Sequence, residues 1–176
     1  MTISRYPKAV VFDLDYTLWP CWCDTHITTP LKSVSKTEIV DRTGFSLSFF
    51  RDVESIILEL VENDVRIIGA SRTYTPDVAK KLLSMLHIND RPAIDYFDTL
   101  QWGKGSKTRH ILMAAKQLDM KQELEDGEFV LFDDERRNRD VSSISCYFVH
   151  IEDVSTGLTR DVFVKGLRDW DNNRNK

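Results

Sequence analysis

Two aspartates one residue apart, Asp13 and Asp15, follow directly on the apolar run Val10-Val11-Phe12 and precede Thr17. Carboxylates this close repel and raise a pKa unless a cation holds them together or they take different chemical roles. The pair points to a metal or catalytic site, with a merely acidic turn as the plain alternative. Ser71 and Arg72 follow a second apolar run, Lys107 stands behind Gly103 and Gly105, and Asp133 and Asp134 close the run Phe129-Val130-Leu131-Phe132. Acidic oxygens suit a hard cation such as Mg²⁺; a hydroxyl and an ammonium suit phosphate oxygens. The chain has no histidine cluster for zinc, no G-x-x-x-x-G-K-[ST] and no G-x-S-x-G. Acid, cation site and phosphate donors together suggest phosphoryl transfer.

Such residues need elements that bring them to one place. Val10 to Phe12 reads as a buried strand, and parallel strands covered on both faces are near-continuous Val, Ile, Leu or Phe. The segment from Pro20 to Ser46 is polar and without helical period, so it is expected to be an irregular small lid. Arg51 to Glu62 places Val53, Ile56, Ile57, Leu60 and Val61 on one helical face. Val65 to Ala70 is a second strand, and Thr75 before Pro76 marks a helix start. A weaker strand is expected over Ala93 to Phe97, and Ser106 is placed to cap a helix burying Ile111, Leu112, Ala115 and Leu118. Phe129 to Phe132 and Cys146 to Ile151 are the fourth and fifth strands, and a helix from Gly157 to Trp170 closes the chain. Alternation of this kind predicts an α/β fold in which a doubly wound, mainly parallel five-stranded sheet lies between helical layers. Ligands of such sheets bind at the carboxyl ends of the strands, and Asp13, Asp15, Ser71, Arg72, Lys107, Asp133 and Asp134 all belong to that edge.

The 176 residues, 41% hydrophobic and 30% charged, suit one domain over the whole chain. A net charge of −4 argues against nucleic acid or an anionic membrane as partner. No apolar run approaches the roughly 20 residues that span a bilayer, so the expected location is the cytoplasm, with the nucleus as an option. Cys21 and Cys23 form a C-x-C, not the C-x-x-C of zinc or redox sites, and are read as free thiols; Cys146 is read as core.

The order D-x-D-x-T at Asp13, Asp15 and Thr17, then Ser71, Lys107 and the pair Asp133 and Asp134, resembles the haloacid dehalogenase (HAD) superfamily of phosphohydrolases. Phe12 to Pro20, Ala70-Ser71-Arg72-Thr73, Gly105-Ser106-Lys107 and Phe132-Asp133-Asp134-Glu135 with Asn138 are similar to its eukaryotic magnesium-dependent phosphatases. The resemblance implies a Rossmann-like three-layer HAD fold and a mechanism. Asp13 would attack phosphorus and form an aspartyl-phosphate. Asp15 would protonate the leaving oxygen and later deprotonate water. Mg²⁺ would be held by the Asp13 carboxylate, the Asp15 backbone carbonyl and one of Asp133 and Asp134, with Asp134 favoured. Ser71 and Lys107 would bind the phosphoryl oxygens, Lys107 would also hold Asp13 ionised, and Thr17 would order the loop. Superfamily dehalogenases lack an aspartate two positions after the nucleophile, so Asp15 favours a phosphatase.

The intervals from Asp13 to Ser71 and from Ser71 to Lys107 leave no room for a separate cap domain, so a minimal cap and an open site are expected. Trp19, Trp22 and His26 are candidates for one wall of that site, or packing residues at the lid base. Arg72 is a candidate phosphate or carboxylate contact, and Asn138 a brace for the metal-site carboxylates. The implied substrates are phosphorylated small molecules or phosphoproteins, either protein phosphotyrosine or fructosamine 6-phosphates; oligomeric state stays open. The competing reading is a phosphate-responsive signalling module without efficient turnover. His87, His110 and His150 receive no role.

Overall fold

The computed structural model describes residues 2–176. Its elements in chain order are β1 (Ala9–Phe12), α1 (Cys23–His26), three two-residue strands β2 (Lys32–Ser33), β3 (Ile39–Val40) and β4 (Ser46–Leu47), and α2 (Val53–Glu62). Then come β5 (Arg66–Ser71), α3 (Pro76–Met85), the small hairpin β6 (His87–Ile88) and β7 (Arg91–Pro92), and β8 (Thr99–Trp102). The chain finishes with α4 (Lys107–Gln117), α5 (Lys121–Glu125), β9 (Phe129–Asp133), β10 (Cys146–His150) and α6 (Arg160–Arg174).

The five long-range strands form one parallel sheet in the order β10-β9-β1-β5-β8. The fully buried β1 and β9 are its most continuously apolar strands, and β1 lies at the centre. From β1 the chain winds outward through β5 to β8, then returns to the other side for β9 and β10. That reversal beside β1 is the topological switch point, where α/β sheets open a crevice at their carboxyl edge.

Alternation along the strands builds two cores. Val10, Phe12, Ile67, Val130 and Phe132 face α2, α3 and α6, while Ala9, Val11, Ile68, Ala70 and Leu131 face α4 and α5. Phe132 anchors the first core, with ring centroids 5.7 Å from Phe12 and 5.9 Å from Phe163. Each such ring contributes roughly 1.5–3 kcal/mol of transfer free energy. Gly157 turns the chain toward α6 at φ +57°, and a Cβ there would lie 2.2 Å from the Phe50 ring, so both conformation and space demand glycine.

Several sequence expectations need correction. Ala93–Tyr96 is a 3₁₀ turn, and the strand beside β5 is β8. Pro92, at the end of β7, leads directly into that turn, whereas Thr99–Trp102 has no proline and keeps every backbone donor for the ladder. The segment from Pro20 to Ser46 is not irregular: it contains α1 and the antiparallel sheet β2-β3-β4. Asp41 organises it, its carboxylate accepting from the backbone of Thr28 (2.8 Å), Thr43 (2.8 Å) and Phe45 (2.9 Å), while Ile39 and Leu47 are buried in the main core. Thr75 precedes α3 but its side chain makes no capping hydrogen bond; Ser106 does cap α4, accepting from Arg109 N at 3.2 Å, though Leu112, expected on its buried face, is exposed. No helix among the described residues is long and apolar enough to cross a membrane.

Candidate active site

The parallel ladder places Asp13 one residue beyond β1, where its amide donates to the Phe132 carbonyl of β9 at 3.1 Å. The chain then turns sharply: Tyr16 adopts φ 60°, its amide donates to Trp19 O at 2.8 Å, and Leu18 N donates to Leu14 O at 2.8 Å. This tight loop returns Asp15 to the same opening. Ser71 ends β5, Lys107 begins α4, and Asp133 ends β9 with Asp134 following.

A cavity of about 340 Å³ opens at this edge, lined by Asp13, Asp15, Ser71, Arg72, Lys107 and Asp134 among others. Of the seven residues predicted at the strand ends, only Asp133 stands behind its wall, fully buried. Lys107 is 1% exposed, and its ammonium donates to Asp13 Oδ1 at 2.7 Å, lies 3.3 Å from Asp133 Oδ2, and bonds the Ala70 carbonyl. A buried ammonium is tolerated only when its protons are used in this way. Thr17 Oγ1 stands 3.5 Å from Asp13 Oδ2.

Oxygens of Asp13, Asp133 and Asp134 lie within 4.8 Å of one another. Burial is the main cause that pushes all three carboxyls up, Asp13 to about 7 and Asp133 and Asp134 to about 6, with mutual repulsion adding to it and Lys107 opposing it at Asp13 and Asp133. Lys107 acts on Asp13 in the expected direction, favouring the carboxylate, while burial acts against it. Three converging carboxylates against one ammonium leave negative charge uncompensated, and their hard oxygens fit a divalent cation such as Mg²⁺. Asp133 is engaged by Glu135 N and by Asn138 Nδ2, each at 2.9 Å, so Asn138 does brace the cluster. Asp134 faces the cavity, and its carbonyl bonds His150 Nε2 at 2.9 Å.

Asp15 has its own cradle. Trp19 Nε1 donates to Asp15 Oδ1 at 2.7 Å, the Cys23 amide donates to the same oxygen at 3.3 Å, and the Cys23 thiol lies 3.9 Å from Oδ2. Burial raises the Asp15 pKa and these hydrogen bonds lower it, with burial dominant. Trp19 is thus not a cavity wall. It is fully buried, stacked on Phe49 at 6.0 Å, and grips the carboxylate from behind. Of the three expected wall residues Trp22 alone lines the cavity, with His26 stacked against it at 5.6 Å.

Sequence reading missed several residues here. Asp24, Thr25, Thr73, Tyr74, Lys104, Glu135 and Arg137 line the cavity, and Cys23 joins Asp15 to Thr73 through a 3.2 Å contact between its sulfur and Thr73 Oγ1. Their proximity to the motif residues was the available signal. The three cysteines are free and buried, with burial raising all three thiols.

Residues 5–173 match the profile of the family described as Acid Phosphatase. A Schizosaccharomyces pombe protein of the HAD-like hydrolase superfamily is 38% identical over 152 residues, covering 82% of this chain and 86% of its own. Human magnesium-dependent phosphatase 1 is 33% identical over 166 residues, covering 94% and 88% respectively. Among solved structures, a HAD-superfamily hydrolase from Ehrlichia chaffeensis superposes with a TM-score of 0.60 at 12% identity, covering 96% of this chain and 98% of that one, a likeness of fold.

Proposed function

Because the chain belongs to the acid phosphatase family, within the HAD superfamily, we propose that it hydrolyses phosphomonoesters through an aspartyl-phosphate on Asp13. It is a magnesium-dependent phosphatase. The observation that carries the mechanism is the buried Lys107 bridging Asp13 and Asp133, with Asp15, Ser71 and Asp134 on the walls of one cavity.

An Asp13 carboxylate oxygen forms the bond to phosphorus as the ester oxygen leaves. Asp15 gives that oxygen its proton, then removes a proton from the water that hydrolyses the aspartyl-phosphate. A carboxyl raised by burial suits the acid role, and the Trp19 and Cys23 donors that fix Oδ1 leave Oδ2 as the oxygen with the weaker engagement. Lys107 and Ser71 bind phosphoryl oxygens as these gain charge. The Asp13 and Asp134 carboxylates and the Asp15 carbonyl are the proposed Mg²⁺ ligands, with Asp133 in support. When bound, Mg²⁺ neutralises charge between nucleophile and phosphate.

The substrate is a phosphorylated small molecule or phosphoprotein, with protein phosphotyrosine and fructosamine 6-phosphates as the candidates. Both are compatible with a cavity that β2, β3 and β4 do not line. The signalling-module alternative is disfavoured by Asp15, which places an acid–base group on the cavity.

The deciding experiment measures p-nitrophenyl phosphate hydrolysis with and without Mg²⁺ in the wild type and in Asp15→Asn, with acid-quenched protein assayed for hydroxylamine-labile phosphate. Metal-dependent turnover, lost in Asp15→Asn while labile phosphate is retained, is the expected result. Asp15→Asn turning over at the wild-type rate would remove Asp15 from catalysis.

A further inference from the structure

The mouth of the cavity carries more positive charge than the reaction consumes. Lys107 is engaged by Asp13 and Asp133, and Arg137 is paired with Glu135. Arg72 and Lys104 also line the cavity, yet no ion pair among the described residues uses either of them. Of the other acids lining the cavity, Asp15 and Asp134 serve the reaction, and Asp24 accepts from Tyr74 N at 3.2 Å and Thr25 Oγ1 at 3.0 Å.

The two residues are linked through the Lys104 backbone, and the Lys104 ammonium rests on an aromatic ring. Arg72 Nη2 donates to the Lys104 carbonyl at 3.4 Å, and Lys104 Nζ lies 4.5 Å from the centroid of the Tyr74 ring. Tyr74 is 70% exposed, and Trp22, which lines the same mouth, is 51% exposed. Largely exposed aromatic rings, Trp22 with His26 on one side and Tyr74 with Lys104 near its face, beside cations without ion pairs match a ligand with a flat body and a negative end. A guanidinium and an ammonium lining one cavity mouth can together receive a carboxylate, the first by its fork and the second as a point charge.

We propose that Arg72 and Lys104, with the faces of Tyr74 and Trp22, form a subsite for a second anionic group, so that the preferred substrates are phosphomonoesters whose ring-shaped leaving group bears a carboxylate. This rests on the phosphatase reading and adds the class of leaving group. A general attraction of these cations for the phosphate itself would favour every monoester equally. The subsite instead discriminates among leaving groups.

The test compares kcat/KM, in Mg²⁺, for 4-carboxyphenyl phosphate and its uncharged carboxamide analogue, 4-carbamoylphenyl phosphate, together with the 3-substituted pair. In the better-fitting pair the wild type should prefer the carboxylate about five- to tenfold, the scale of a partly exposed charge pair. Lys104 is exposed, so its replacement leaves folding intact. Lys104→Gln should cut the preference to about twofold and Lys104→Glu should reverse it, and rising salt should weaken it in the wild type. Equal kcat/KM for both members of each pair in the wild type, or a preference that survives Lys104→Glu, overturns the subsite and leaves the phosphatase intact. No phosphate release from any of the four esters, with p-nitrophenyl phosphate also inert, overturns the phosphatase reading and the subsite with it.

Discussion

At the scale of single residues, the site separates chemistry by what each carboxylate touches. Asp13 meets an ammonium and two other acids, whereas Asp15 meets an indole N–H, an amide and a thiol. Asp13→Asn should therefore reduce turnover by at least about a thousandfold, the scale of losing a covalent nucleophile. It should leave the melting temperature of the metal-free protein unchanged or higher, since it removes one of three crowded acids; appreciable residual hydrolysis would argue for a different nucleophile. Trp19→Phe keeps an aromatic ring against Phe49 but deletes the bond to Asp15 along with part of a buried ring. Its kcat should fall about tenfold, a fraction of the 10²–10⁴ that general acid–base catalysis supplies, with KM little changed. A loss confined to KM would show that Trp19 shapes binding and does not orient the acid.

Among the elements, β1, β5 and β9 were legible because central parallel strands must be apolar on both faces, and such runs are hard to mistake. The strand beside β5 was misplaced because β8, at the sheet edge, is only partly buried and reads weakly. The β2-β3-β4 sheet was invisible because its strands are two residues long and depend on Asp41, a hub assembled by the turn itself. Helix α4 was foreseen through Ser106, and it carries Lys107 into the core at its first turn. Ser106→Ala should cost about 1 kcal/mol of stability, the usual worth of an N-cap, read as a lowered midpoint in urea. An unchanged midpoint would mean the helix start is held by Lys107 alone.

For the molecule as a whole, the carboxylate cluster links metal, pH and stability. The folded-state pKa values of Asp13, Asp133 and Asp134 lie at about 7, 6 and 6 without a metal, all above the ordinary carboxylate range. Groups raised on folding contribute stability that is full below their unfolded pKa, near 4, and is lost as pH rises through 6 to 7. After EDTA treatment the melting temperature should therefore decline across that window. Mg²⁺ should restore it, with a stabilisation that grows as pH rises and the acids ionise. A Mg²⁺ effect independent of pH from 5 to 7.5 would separate metal binding from this cluster.

The sequence by itself determined the parallel α/β order and the residues that bear the chemistry, because strand burial and strand-end polarity are local patterns in the chain. It placed Asp13, Asp15, Ser71, Arg72, Lys107 and Asp134 at one opening, and the fold brings all six to a single cavity. Tertiary structure alone decided their roles relative to one another. Adjacent Asp133 and Asp134 look alike in sequence, yet the strand end turns one into the interior and the other toward the cavity. Trp19 and Trp22 are three residues apart, yet one is buried against Asp15 and the other stands at the mouth with Tyr74. Lys104 and Arg72 meet only because β5 and the loop before α4 end side by side. Contacts between residues far apart in the chain depend on how the strands stack, and no local pattern encodes them.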